Sequence, residues 1–118
     1  MPDFEEQWFS EWLSEPTTFG GATSELNQLI VEDPESAWGL IRRLVARAET
    51  PVALECVAAG PLEDLLCANG QQFITRVEAA AQEDPQFKRA LATVWGFNRM
   101  HADVRARVST AAGLQGHA

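Results

Sequence analysis

The stretch Thr50-Pro51-Val52-Ala53-Leu54-Glu55-Cys56-Val57-Ala58-Ala59-Gly60-Pro61-Leu62-Glu63-Asp64-Leu65-Leu66-Cys67-Ala68-Asn69-Gly70 decides the fold class of this chain. Thr50 is a capping residue and Pro51 stands where a helix begins, a position whose N–H has no intrahelical partner in any case. From Val52 to Ala59 the chain is apolar all round except at Glu55, and a helix without a polar face belongs in the middle of a packed structure. Gly60-Pro61 reads as the next helix start. The segment that follows buries Leu62, Leu65 and Leu66 and is predicted to stop at Asn69-Gly70.

The same punctuation extends outward. Asp33-Pro34 and Asp84-Pro85 repeat the capped-proline pattern, and no run alternates apolar and polar residues as a strand would. The reading is all-α, with helices over 3–15, 24–32, 34–48, 51–59, 61–69, 71–82, 85–95 and about 98–111. Connections this short make neighbours antiparallel, so the expected architecture is a compact stack of about seven or eight short helices, with a short helical-repeat array as its nearest regular form. Residues 1–112 form one domain on this reading: an amphipathic helix over 1–15, a Gly/Thr/Pro-rich joint over 16–23 and a helical body over 24–112. Residues 113–118 are expected to fray. The triplet Glu32-Asp33-Pro34 recurs as Glu83-Asp84-Pro85. Helix starting alone accounts for the recurrence, with an old duplication as the alternative.

Charge is distributed unevenly. Residues 1–41 hold nine carboxylates and no Lys or Arg, Arg42 being the first cation, and the formal net charge is −8. An acidic chain lacks the cationic field that nucleic acids and anionic membranes require, so direct binding to either is excluded on this reading. No apolar run approaches the roughly 18 residues of a membrane span, and the acidic start is unlike a secretory leader, so the cytoplasm is the expected location. Cys56 and Cys67 are too few for a disulfide scaffold and wrongly spaced for zinc, and read as reduced apolar residues. Neither a metal nor a cofactor is expected.

The acidic segment also carries Trp8, Trp12 and Trp38. Stepped at about 100° per residue, the first helix sets Phe4, Trp8, Phe9, Trp12 and Leu13 on one side and Glu6, Gln7, Ser10, Glu11 and Ser14 on the other. Docking on the body is the expectation, since leaving two Trp and two Phe in water would cost solubility. Arg43 and Arg47 lie one turn apart opposite the apolar face of their helix, where they are expected to meet the acidic front end or solvent. The residues proposed for recognition of a basic protein are Glu6, Trp8, Glu11, Trp12, Glu15 and Glu25.

Catalytic candidates are few. Glu55, Glu63 and Asp64 flank a helix turn, where paired carboxylates could do acid/base work or hold a metal. Glu63 and Asp64 are explained nearly as well by first-turn capping and the helix dipole. Cys67 with His101 has nothing local to orient a thiolate, and His101 and His117 lack metal-ligand spacing. There is no phosphate loop, serine elbow or dinucleotide fingerprint.

At Ala58-Ala59-Gly60-Pro61-Leu62-Glu63-Asp64-Leu65-Leu66, then Phe87 through Leu91 to Val94-Trp95, the chain resembles a family of small bacterial proteins catalogued as a domain of unknown function. The resemblance runs from about Trp38 to Val108 and singles out Gly60, Glu63, Asp64, Leu65 and Trp95. It implies a helical body and no named activity. The expected function is a non-enzymatic protein-binding domain, in its sharper form an immunity-type inhibitor of a basic toxin or nuclease, acting as monomer or homodimer. The alternatives are a small enzyme or ligand-binding protein using Glu55, Glu63 and Asp64, and a structural homodimer built through the first helix.

Overall fold

The computed structural model describes residues 3–14, 20–94 and 99–113. Glu15, residues 16–19 of the expected joint, Trp95 and His117 lie outside the described residues. The rest is α-helical without a strand among the described residues: α1 (Phe4–Leu13), α2 (Gly21–Glu32), α3 (Pro34–Arg47), α4 (Pro51–Val57), a π-turn (Ala58–Leu62), α5 (Glu63–Glu83), α6 (Pro85–Ala92) and α7 (Ala102–Ala111).

Three of the four proline starts form as the sequence predicts. Asp33 accepts from the Ser36 amide, Thr50 from Ala53 and Asp84 from Gln86, each with proline in the first helical turn. Asp33 and Asp84 also close the helix before them, donating their own N–H groups to Leu29 and Ala80. One residue thus ends one helix and begins the next at both Glu-Asp-Pro triplets. The chain reverses there without a loop, which is why α2 and α3, and α5 and α6, pack as neighbours. The aromatics after the two triplets meet: Trp38 and Phe87 lie edge to face at 5.7 Å, with the Arg42 guanidinium over both rings.

Two expected breaks are corrected. At Gly60-Pro61 no new helix begins. Pro61 has no N–H to give, and one wider turn, in which Glu63 N–H donates to the Ala58 carbonyl five residues back, carries α4 into α5 with helical angles at Leu62 and Glu63. At Asn69-Gly70 the helix kinks rather than stops: Asn69 leaves the helical region (φ −135°, ψ 26°), its side-chain amide donates to the Ile30 carbonyl at 2.9 Å, and α5 resumes. Gly70 serves close packing, since a Cβ there would stand 2.7 Å from Val104 Cγ1 on α7. The predicted joint is also shorter at its far end, because α2 already begins at Gly21 and Ala22 and Thr23 are buried.

One core cluster gathers side chains from every helix. Its largest fully buried members include Trp8, Leu26, Ile41, Leu44, Phe73 and Phe87. Trp8 comes from α1, so the first helix docks and contributes to the core. No helix among the described residues is long and apolar enough to cross a membrane.

Candidate functional site

The acidic first helix is fixed at both ends. Near its C-terminal end, Glu11 is buried and aims its carboxylate at the start of α2, where backbone N–H groups lack helical partners. It accepts from the amides of Gly20 (3.0 Å), Ala22 (3.0 Å) and Thr23 (2.8 Å), from Thr23 Oγ1 (2.6 Å) and from Gln7 Nε2 (3.0 Å). Burial by itself would raise this carboxyl; the bonds from Thr23, Gln7 and Ala22 outweigh it and bring the pKa down to about 2. At the other end, Arg43 and Arg47 of α3 reach across to α1. Arg43 Nε meets Glu5 at 3.1 Å, and Arg47 meets Asp3 at 2.7 Å, Glu6 at 3.5 Å and Glu5 at 3.8 Å. The Asp3 carboxyl is held below its usual range, first by the Glu6 N–H and then by Arg47.

The aromatic side of α1 is spent on the body. Trp8 is buried and stacks on Trp12 at 5.0 Å between ring centres. Trp12 lies over the π-turn, where a Cβ on Gly60 would approach its ring to 2.9 Å. Trp8 and Glu11 are therefore not surface groups, a correction to the expectation that they face a partner. The physical reason is that Trp8 fills the core and Glu11 satisfies a buried helix end. Trp12 is half-buried, and Glu6 and Glu25 are exposed.

What α1 does leave at the surface is a groove. Glu6, Phe9 and Leu13 form one wall, Arg47, Glu49, Thr50 and Ala53 from the α3–α4 corner form the other, and the cavity holds about 310 Å³. Its apolar lining is Phe9, Leu13 and Ala53, and Leu13 is 42% exposed. Val52, between Thr50 and Ala53, is also exposed. Carboxylates of Glu6 and Glu49 rim the opening. Sequence reasoning had placed Glu6 at a recognition surface but missed Phe9, Leu13 and Glu49, because only the α1–α4 packing brings them together.

The carboxylates of the central stretch separate. Glu55 is exposed on α4. Glu63 is buried and pairs with Arg99 at 2.5 Å, and Asp64, half-buried, lies 3.5 Å from the same guanidinium. Because α4 runs on through the π-turn, Glu63 is mid-helix and has no free N–H groups to cap, which corrects the capping expectation. Burial raises the Asp64 carboxyl, with Arg99 opposing. Burial likewise raises the Cys67 thiol beside them; Arg99 opposes, and Glu63 and Asp64 add to the rise. A groove of about 350 Å³ adjoins this group, lined by Asn27, Ile30, Val31, Asp64, Cys67 and Arg99 among others. Leu65 is core and Gly60 admits Trp12, so these two motif residues serve packing. Among the described residues no three His, Cys, Asp or Glu side chains converge as a metal would need.

A larger cavity of about 670 Å³ lies between α5, α6 and α7, lined by small and polar side chains such as Ala81, Gln82 and Thr110. Glu78 at its edge is tied to Arg107. No apolar anchor or convergent set of polar groups marks it as a binding site.

Comparison with known proteins gives a family and no function. The family model described as "Family of unknown function (DUF6869)" matches residues 13–115, and the chain belongs to that family. Neither the search of curated proteins nor that of solved structures found a match.

Proposed function

We propose that this member of DUF6869 is a non-enzymatic protein-binding domain that receives a basic protein on its α1 side. The sharper form of the reading is an immunity-type inhibitor that neutralises a basic toxin or nuclease in the cytoplasm. The observation that carries it is the α1–α4 groove, an apolar floor of Phe9, Leu13 and Ala53 rimmed by Glu6 and Glu49. A pocket near 310 Å³ is at the low end of the range of about 300–1,000 Å³ for small-molecule sites and suits one anchoring side chain of a partner.

Two further observations support this reading. The groove is built in advance: Trp8 in the core and Glu11 on α2 hold α1 in place, so ordering it costs nothing on association. The chain as a whole is negative. It carries −8, and Glu25 and Glu32 on the outer face of α2 are exposed without a cationic partner among the described residues. Such a charge steers a cationic protein and makes its association rate sensitive to salt.

The test is co-expression with each basic toxin encoded beside the gene, followed by pull-down and growth rescue. A stable complex and protection are expected, both weakened by Glu6→Lys with Glu49→Lys. Absence of both complex and protection would overturn the reading.

A further inference from the structure

Arg47 lies at the groove and is engaged by three carboxylates of its own chain, at 2.7 Å from Asp3, 3.5 Å from Glu6 and 3.8 Å from Glu5. Its side chain is 41% exposed and that of Glu6 59% exposed, so this cluster opens to solvent beside the apolar floor. The three contacts are unequal. The one to Asp3 is short and direct, whereas the contact with Glu6 is long, and Glu6 is the carboxylate on the groove rim. Glu49, on the opposite wall, is exposed and has no cationic partner among the described residues.

Resting on the reading of the groove as a protein-binding surface, we infer that Arg47 is an internal stand-in for a partner's arginine. The groove takes a segment that presents a large apolar side chain to Phe9, Leu13 and Ala53 with an arginine beside it. That arginine pairs with Glu6 and Glu49, and Arg47 falls back wholly onto Asp3 and Glu5. Three features favour arginine over other cations. A planar fork can engage two carboxylates at once, the native occupant of the cluster is itself a guanidinium, and arginine is less strongly hydrated than lysine. In the free protein Arg47 therefore competes with the partner, lowering the affinity while holding α1 in register.

The experiment uses the full chain and a short amphipathic peptide carrying one leucine with an arginine one helical turn to either side, titrated by calorimetry at low and physiological salt. The same peptide with citrulline for arginine is the neutral control. Arg47→Met is expected to tighten peptide binding roughly 3- to 10-fold, because removing the competitor frees Glu6. Glu49→Gln, which leaves the α1 clamp untouched, is expected to weaken it about 3-fold or more, and citrulline to weaken it about 10-fold. Near-ultraviolet circular dichroism of Trp8 and Trp12 checks that α1 stays docked in each variant. If Arg47→Met loosens α1, the Glu49→Gln and citrulline comparisons decide. Binding unchanged by Glu49→Gln and citrulline, or no tighter in a docked Arg47→Met, overturns the inference. A toxin captured normally by Glu49→Gln protein overturns it too while leaving the protein-binding reading in place. Arginine-dependent peptide binding without any captured toxin upholds the groove chemistry and removes the inhibitor reading.

Discussion

The hydroxyl of Thr23 donates a 2.6 Å hydrogen bond to the carboxylate of Glu11, and the Thr23 amide donates to the same oxygen at 2.8 Å. A side chain of the first helix thus caps the second, in place of the local Ser, Thr, Asp or Asn that usually does so. The residue at the local cap position, Gly20, has no side chain to offer.

Glu11→Ala is expected to lower stability by about 2 kcal/mol, since it strips a buried helix start of its acceptor, and Glu11→Gln by about 1 kcal/mol. The pH dependence has a definite sign. The carboxyl sits at about 2 in the folded chain against 4.5 when unfolded, so its contribution is complete above pH 4.5 and is lost as the pH falls toward 2. Urea denaturation at pH 7 and pH 3 measures this. The wild type should lose more stability between the two than Glu11→Gln does.

Gly60→Ala is expected to cost about 1–3 kcal/mol, an overpacking penalty. The new Cβ would stand 2.9 Å from the Trp12 ring, which cannot swing away freely because it is stacked on buried Trp8. Tryptophan fluorescence and the thermal midpoint should shift together. Gly39→Ala serves as the control, since the nearest atom to a Cβ there is the mobile end of Arg43 at 3.8 Å.

How much of this could be read from sequence depends on the reach of each interaction. The all-α class and the helix starts at Pro34, Pro51 and Pro85 were legible because capping is decided within four residues. The docking of α1 was legible from its aromatic side. Gly60-Pro61 misled because a proline opening a helix and a proline in a π-turn look alike until the preceding carbonyls are placed. Glu11 read as a solvent-facing acid since its partners, Ala22 and Thr23, lie eleven and twelve residues away in a segment without helical periodicity. Of the recognition residues, Glu6 and Glu25 are at the surface; the groove that gives Glu6 a context depends on α4, which sequence could not set beside α1.

Arg99→Met is expected to lower stability by about 1–2 kcal/mol. Glu63 is buried and loses the charge that faces it, a penalty moderated because Arg99 itself is more than half exposed. The same change should be visible at Cys67. Arg99 holds that thiol down against burial, Glu63 and Asp64, so its removal raises the pKa further and leaves less thiolate. Alkylation of Cys67 at pH 8, in a Cys56→Ser background, should slow several-fold.

Arg42→Ala removes a guanidinium lying 5.6 Å from the Trp38 ring centre and 5.4 Å from that of Phe87. The expected cost is about 0.5–1 kcal/mol. Arg42→Lys should recover only part of it, because an ammonium cannot stack on a ring face as a guanidinium does. Double-mutant cycles with Trp38→Leu measure the coupling directly.

The capping of α2 from α1 separates two boundaries that are usually taken as one. The family match begins at residue 13, but the folding unit reaches back at least to Asp3, because residues 3–12 supply the acceptor that closes α2, a core tryptophan and the counter-charges of Arg43 and Arg47. A chain cut to the family boundaries would bare the face that Trp8 and Trp12 now cover and leave four amide and hydroxyl donors at Gly20, Ala22 and Thr23 without Glu11. In this chain, then, the ten residues ahead of the family match belong to the fold itself and are not an appendage to it.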